Sequence, residues 1–320
     1  MAWTLYKSTD SGAPTLTGAA GSLLTLLDAI LVDGYGTKAP AGWTEAYTGT
    51  NKRVYRMGSG RLMGYVRILD DASGAAGAKE GFVSLYESMS DVDTGTDTVI
   101  AASGNDYPIR KSDTADATAR PWVCVADGRT FILAIGASVT TLSASATWTY
   151  VGEFFSYVPN DNYNFAVVAR FTKNSSTYNT TTEGMPQANG HSTFAGKSGH
   201  YIARDSTGVY KQRNFSKCAA FASGAGYLSG TFAFPNPADG GAVLSPLYIR
   251  DSEPGGEALR GRLRGVWVHC HGNTQFGLAA GAEFNGTGDW AGKTFLAPMN
   301  CGETAGGHFV LETSDTVPSN

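Results

Sequence analysis

The segment "VWVHCHGN" brings two imidazoles together at i, i+2. On a strand, His269 and His271 point to one face with Trp267, and Val268 and Cys270 point to the other. Two histidines so spaced can ligate a metal if a third donor joins them, with His191, His200, His308 or a carboxylate as the candidates. All five histidines lie in the second half of the chain. No second short-spaced ligand pair accompanies them, so the expectation is a solvated or interface-facing histidine pair and no metal or other cofactor.

Just before it, "ALRGRLRGVW" places Arg260, Arg262 and Arg264 on one face by alternation, opposite Leu259 and Leu263. The same parity would put Val266 and Val268 on the arginine face. A bulge or bend at Gly265 returns the valines to the core and groups Trp267 and His269 with the arginines. The basic strip reads either as a dock for a carboxylate-rich neighbour or phosphorylated glycan, or as a charged edge strand. Arg260, Arg262, Arg264, Trp267, His269 and His271 are therefore the interface candidates.

Other constellations carry less. "DVDTGTDT" offers Asp91, Asp93 and Asp97, but Gly95 at the fifth position and the lack of a Glu at the twelfth depart from a calcium loop. "GSGRLMG" has glycines without a following helix to present amides to a phosphate. No H-E-x-x-H, nucleophile elbow or Ser/His/Asp order is present, so no catalytic residues are assigned. Carboxylate pairs for glycoside hydrolysis meet only in the fold and stay open. "YVPNDNYN" could supply Tyr157 and Tyr163 as stacking surfaces for a glycan.

These groups need a scaffold, and composition points to sheets. The 320 residues are 42% hydrophobic and 16% charged, with 41 glycines and a net charge of −4. That balance disfavours general nucleic-acid binding, which needs an excess of Lys and Arg. Cys124, Cys218, Cys270 and Cys301 are widely spaced and read as free buried thiols in a reducing compartment.

Short apolar runs between turns read as strands: "RVYRM", "GYVRILD", "FVSLYE", "PWVCVADG", "TFILAIG", "NFAVVARF", "GTFAFP", "SPLYIR", "GVWVHCHG", "KTFLAPM" and "HFVLETS". The expected fold class is mainly β, with sandwich-like modules. The exception is residues 23–32, where Leu23, Leu26, Leu27, Ile30 and Leu31 form a helical stripe between an N-cap at Ser22 and a stop at Asp33–Gly34. At about half of the roughly 20 residues a bilayer crossing needs, and preceded by Lys7 alone, it is read as a short helix packed on a sheet rather than an anchor or export signal.

Residues 172–199 lack apolar periodicity and suggest a linker or long surface loop between a first β module, 1–171, and a second, 200–320. Ile109-Arg110, Trp122-Val123, Glu153-Phe154 and Phe165 recur in order as Ile249-Arg250, Trp267-Val268, Glu283-Phe284 and Phe295. That order suggests two related copies, the second lacking a hairpin near 138–147.

Five stretches carry a resemblance: "LYKSTDSGAPTLTGAAGSLLTLLDAILVDGYGTKAPAGWT", "SDTADATARPWVCVADGRTFIL", "LRGRLRGVWVHC", "GDWAGKTFLA" and "GGHFVLETSDTV". Together they resemble a group of virion structural proteins of tailed bacteriophages. The resemblance implies a mainly β particle component without assigned enzyme activity and leaves head, tail and tail tip open as its place; the leading expectation is a tail- or tail-tip (baseplate) associated subunit. It implies packing against copies of itself and other virion proteins, after synthesis in the host cytoplasm and without membrane insertion. A glycan-binding or head-decoration module touching host surface glycan is the alternative reading, and a polysaccharide hydrolase the third.

Overall fold

The protein is described from a computed structural model covering residues 3–71, 79–96, 107–137, 142, 147–170, 198–202, 204–209, 232–253, 256–271, 276–298 and 309–314. It is mainly β, and the pairings between named strands among the described residues are antiparallel. A middle sheet runs in the order β1 (Thr4–Lys7), β9 (Trp122–Asp127), β10 (Thr130–Ile135), β11 (Thr147–Glu153), β13 (Phe165–Arg170) and β14 (Ser198–Ile202). One outer sheet is β2 (Thr44–Gly49), β3 (Lys52–Arg56), β4 (Tyr65–Leu69), β5 (Lys79–Tyr86) and β8 (Tyr107–Ser112). The other is β12 (Phe155–Ser156), β16 (Gly256–His269), β19 (Phe309–Glu312), β18 (Thr294–Ala297) and β17 (Ala282–Asn285), with β15 (Leu244–Glu253) also paired to β16. A small hairpin, β6 (Ser88–Asp91) and β7 (Thr94–Thr96), stands apart.

Both faces of the middle sheet are covered. Cys124, Phe131, Leu133, Val151 and Phe165 pack with the first outer sheet and the N-terminal helix. Their neighbours Val125, Ile132, Tyr150, Ala166 and Val168 pack with Ile249, Leu263, Val266 and Leu311 of the second outer sheet. The period of two sends successive side chains into two different cores, so β9 and β10 are buried along their whole length. Cys124 and Cys270 are buried free thiols, and burial pushes the ionisation of each up. Cys218 and Cys301 lie outside the described residues.

The apolar segment near the start forms helix α1 (Ser22–Asp28), extended by a π-helical turn (Ala29–Asp33). Leu23, Leu24, Leu26, Leu27, Ile30 and Leu31 are all buried in the first core, which is the packing role expected. Gly34 ends the turn at φ 78°, again as expected. The start differs. Gly21 is the N-cap, at φ 77°, and the Ser22 hydroxyl instead accepts the Thr17 N–H at 2.7 Å. Capping comes from outside the helix: the Leu23 N–H donates to Asp70 Oδ2 at 2.7 Å.

Asp70, just after β4, also pairs with Lys111 of β8, and both side chains are fully buried. Lys111 donates further to the Ala19 carbonyl. Burial pulls the Lys111 ammonium below the usual lysine range, with Asp70 pulling the other way. One carboxylate thus binds the helix start and two strands of the first outer sheet. Among the described residues no helix is long and apolar enough to cross a membrane.

The boundary expected at 172–199 is crossed by structure. β14, spanning 198–202, completes the middle sheet against β13, and β12 of the first half pairs with β16 of the second. Residues from both halves pack together in the second core. Nor do the recurring features occupy matching places. Ile109 and Trp122 lie in different sheets, on β8 and β9, whereas Ile249 and Trp267 lie on the paired strands β15 and β16. In "GTFAFP" the described part contains a single bridge, Phe232 to His271, in place of the expected strand.

Replacing Lys111 by Met leaves the Asp70 carboxylate buried without its cation. The expected loss is about 3–5 kcal/mol in urea unfolding, the range for breaking a buried pair from one side. A loss below about 1 kcal/mol would mean that the helix cap alone holds Asp70.

Candidate functional site

The candidate residues converge on β16, and a change of parity governs them. Gly265 adopts φ +66°, and the register against β15 jumps between Pro246↔Trp267 and Tyr248↔Arg262. The bulge expected at Gly265 is present. Leu263 before it and Val266 and Val268 after it all enter the second core. A Cβ on Gly265 would also stand 3.2 Å from the Trp3 ring.

The arginines are not a shared exposed strip. Arg260 is fully buried, with Nε and Nη2 gripping Asp161 at 2.9 and 3.0 Å and Nη2 also reaching the Tyr163 carbonyl at 3.1 Å. Arg264 is buried too. Nη2 and Nη1 meet the Asp127 oxygens at 2.6 and 3.2 Å, and Nη1 donates to Thr130 Oγ1 at 2.9 Å. Burial works against the Arg264 charge, but Asp127 more than compensates and holds it above its ordinary value. Arg262 is half-buried, its guanidinium 4.9 Å from the Phe155 ring centroid and 5.1 Å from that of Trp267. Mutual repulsion is relieved inside the chain by separate carboxylates and rings. Arg260 and Arg264 are therefore spent on the fold and cannot form a surface contact.

The histidines are also interior. His269, His271 and Trp267 share one face as alternation expects, but that face is buried under aromatic rings. Phe276 stacks on His269 at 4.4 Å and on His271 at 5.4 Å between centroids, and Trp290 meets Trp267 at 4.5 Å. His271 Nε2 accepts the Val243 N–H at 2.7 Å, so Nδ1 carries the proton and faces the Phe232 carbonyl at 3.3 Å. Both ring nitrogens are thereby committed, leaving no lone pair for a metal. Burial holds His271 below the usual histidine range. Trp267 Nε1 donates to Glu312 Oε2 at 3.0 Å, and Lys293 pairs with the other oxygen. All three side chains are buried within the chain.

The acidic loop is likewise committed. Asp93 pairs with Lys52 at 2.7 Å and Arg67 at 2.6 Å, and these contacts, Lys52 foremost, hold its carboxyl below the ordinary range. Asp97 lies outside the described residues. Tyr163 is not a free platform, because the Arg204 guanidinium covers its ring at 5.7 Å and Gly208 abuts it. Tyr157 is 43% exposed.

What the sequence reading passed over lies at the ends of β9 to β12. The "GSGRLMG" loop does present a backbone amide to an anion, but the anion is Glu153 of the same chain. Arg61 N–H donates to Glu153 Oε1 at 2.5 Å. At Gly60, φ +115°, a Cβ would stand 2.3 Å from that oxygen, so only glycine permits the approach. The glycine spacing was the available signal. Its target lay 92 residues away.

Beside Glu153 opens a cleft of about 500 Å³, walled by Arg61, Arg129, Phe155, Tyr157 and Asn160. Burial pushes the Glu153 carboxyl above the ordinary carboxylate range, against the pull of the Arg61 N–H and the Arg129 charge. Asp161 also borders the cleft, but Ser156 Oγ, Tyr163 N–H and Arg260 occupy its two oxygens. It is a structural carboxylate rather than a nucleophile. The arrangement can hold a polar ligand against an aromatic wall. Comparison with protein-family models and with curated proteins finds no match.

Two outcomes follow from this geometry. Arg260→Gln and Arg264→Gln should each cost about 3–5 kcal/mol in urea unfolding, because each strands a buried carboxylate. Arg262→Gln should cost about 1 kcal/mol, the order of a partly exposed cation–π contact; equal losses for all three would refute the division. Glu153 holds its proton more tightly folded than unfolded. Its contribution to stability is present below the ordinary carboxylate range and is lost as pH rises through the raised folded value. The melting temperature of the wild type relative to Glu153→Gln should therefore fall as pH rises above the ordinary carboxylate range. A difference that stays flat or rises would contradict this.

Proposed function

We propose that the protein is a structural component of a tailed bacteriophage virion, associated with the tail or tail tip and acting by packing against copies of itself and other virion proteins. The supporting observation is where the resembling stretches fall. They supply β1 and α1, the β9–β10 hairpin, and strands β16, β18 and β19. These elements are mutual neighbours: β1 pairs with β9, and β16 and β18 both pair with β19.

The architecture suits that role. Three large sheets packed over buried apolar clusters and tied by buried charge pairs offer a folded body for packing against neighbours. The packing surface in this reading lies away from Arg260 and Arg264, and Arg262 is the one member of the basic strip left to contribute to it. The hydrolase reading gains nothing from Asp161, whose oxygens are occupied within the chain.

Purified particles provide the test. The protein should copurify with intact virions in a fixed stoichiometry, and imaging should place symmetry-related copies at the tail. Its loss by washing that leaves particles complete and infectious would overturn the proposal.

A further inference from the structure

We propose that the cleft beside Glu153 is a binding site for an acidic glycan, one whose sugar rings carry carboxylates. The proposal stands independently of the virion reading and rests on three features of the cleft.

The first is a fixed aromatic wall. Tyr157 is among the few large apolar side chains exposed in the described residues, and its ring meets Phe155 edge-on at 5.7 Å and 71°. The Tyr157 N–H donates to the Arg260 carbonyl at 2.7 Å, which fixes its backbone on β16. An exposed ring held rigid loses little entropy on binding and offers its face to the C–H side of a sugar, with the hydroxyl at its rim.

The second is cationic donor capacity left over. Arg61 is exposed, and its guanidinium donates to a neutral group, Asn160 Oδ1, at 3.2 Å. The carboxylate oxygen paired with Arg129 is Glu153 Oε2, at 3.9 Å, beyond hydrogen-bond range. Two guanidiniums with planar donor pairs to spare match a ligand carboxylate. Asn160 and the Glu153 carboxyl add groups that can bond to hydroxyls. A neutral sugar would leave the guanidinium donors unused, and a bare anion would leave the aromatic wall unused.

The third is preorganisation. The loop carrying Asn160 is stapled at its base, where Asp161 holds the Ser156 hydroxyl at 2.7 Å and Arg260 at 2.9 Å. Asn164 Nδ2 donates to the Phe154 carbonyl at 2.8 Å, and Phe154 N–H returns a bond to the Asn164 carbonyl at 2.9 Å. The Glu153 side is fixed by the glycine loop. Buried Arg260 is thus a positioning residue for the cleft, and its volume lies in the usual range for small-ligand sites.

The test uses the isolated full-length chain, so its failure is separable from failure of particle incorporation. Titration calorimetry would compare oligosaccharides of glucuronic, galacturonic and sialic acid with their carboxyl-reduced counterparts and with inorganic phosphate. At least one acidic oligosaccharide should bind more tightly than its reduced form. Arg61→Gln, Arg129→Gln and Tyr157→Ala should each weaken it about tenfold or more, the scale of one charge-assisted bond or stacking contact, with the melting temperature unchanged. Three results would each overturn the proposal: no acidic oligosaccharide favoured over its reduced form, affinity surviving all three substitutions, or phosphate competing at equal concentration.

Discussion

The bidentate pair between Asp127 and Arg264 is the joint on which the layers depend. Asp127 closes β9, and its Oδ1 also accepts the N–H groups of Arg129 and Thr130 at 2.9 Å each, shaping the turn into β10. The same turn receives the first outer sheet: Trp43 Nε1 donates to the Asp127 carbonyl at 2.7 Å, and Gly58 and Ser59 both donate to the Gly128 carbonyl at 3.1 Å. Arg264 brings the second outer sheet to the opposite side. The turn from Asp127 to Thr130 thus meets both outer sheets. A charge here does what dispersion cannot, because its desolvation is tolerable only in one geometry.

The low charged fraction and the buried charges are two sides of one constraint. A middle sheet covered on both faces leaves few positions where charge is cheap, so the charges that enter the interior come with partners. Lys111 meets Asp70, Arg260 meets Asp161, Arg264 meets Asp127, and Lys293 meets Glu312. The first three pairs join elements distant in the chain, and the fourth ties the neighbouring strands β18 and β19. Such pairs add little net stability compared with apolar packing, but they sharply penalise any arrangement that separates them.

Local patterns were legible in the sequence. The helical stripe from Leu23 to Leu31 and the parity break at Gly265 each follow from a few adjacent residues, and each appears where periodicity puts it. Pairings were not legible. Arg264 and Asp127 stand 137 residues apart and Arg260 and Asp161 99, so alternation could group the arginines without revealing that each had its own carboxylate. The histidines failed for a related reason: strand parity gives a face but not its depth, and Phe276 and Trp290, which cover that face, arrive from later turns. The glycine loop announced a close approach to an anion without naming Glu153.

Register is where these strands require such pairs. In an ordinary half-buried strand, a slip of one residue turns apolar side chains to water and is rejected by the hydrophobic effect. β9 and β10 are buried on both faces, so a slip would exchange Val125 and Ile132 for Cys124 and Phe131 while leaving the apolar side chains in an apolar core. Hydrophobic burial is then nearly blind to register, and only shape and polar geometry discriminate. The polar geometry sits at the hairpin end. Asp127 stands opposite Thr130 in the ladder, and Arg264 bonds to both. Sliding β10 by one residue would carry Thr130 away from Asp127 and strip Arg264 of a buried acceptor. The same arginine therefore joins the sheets and fixes how the two most deeply buried strands align.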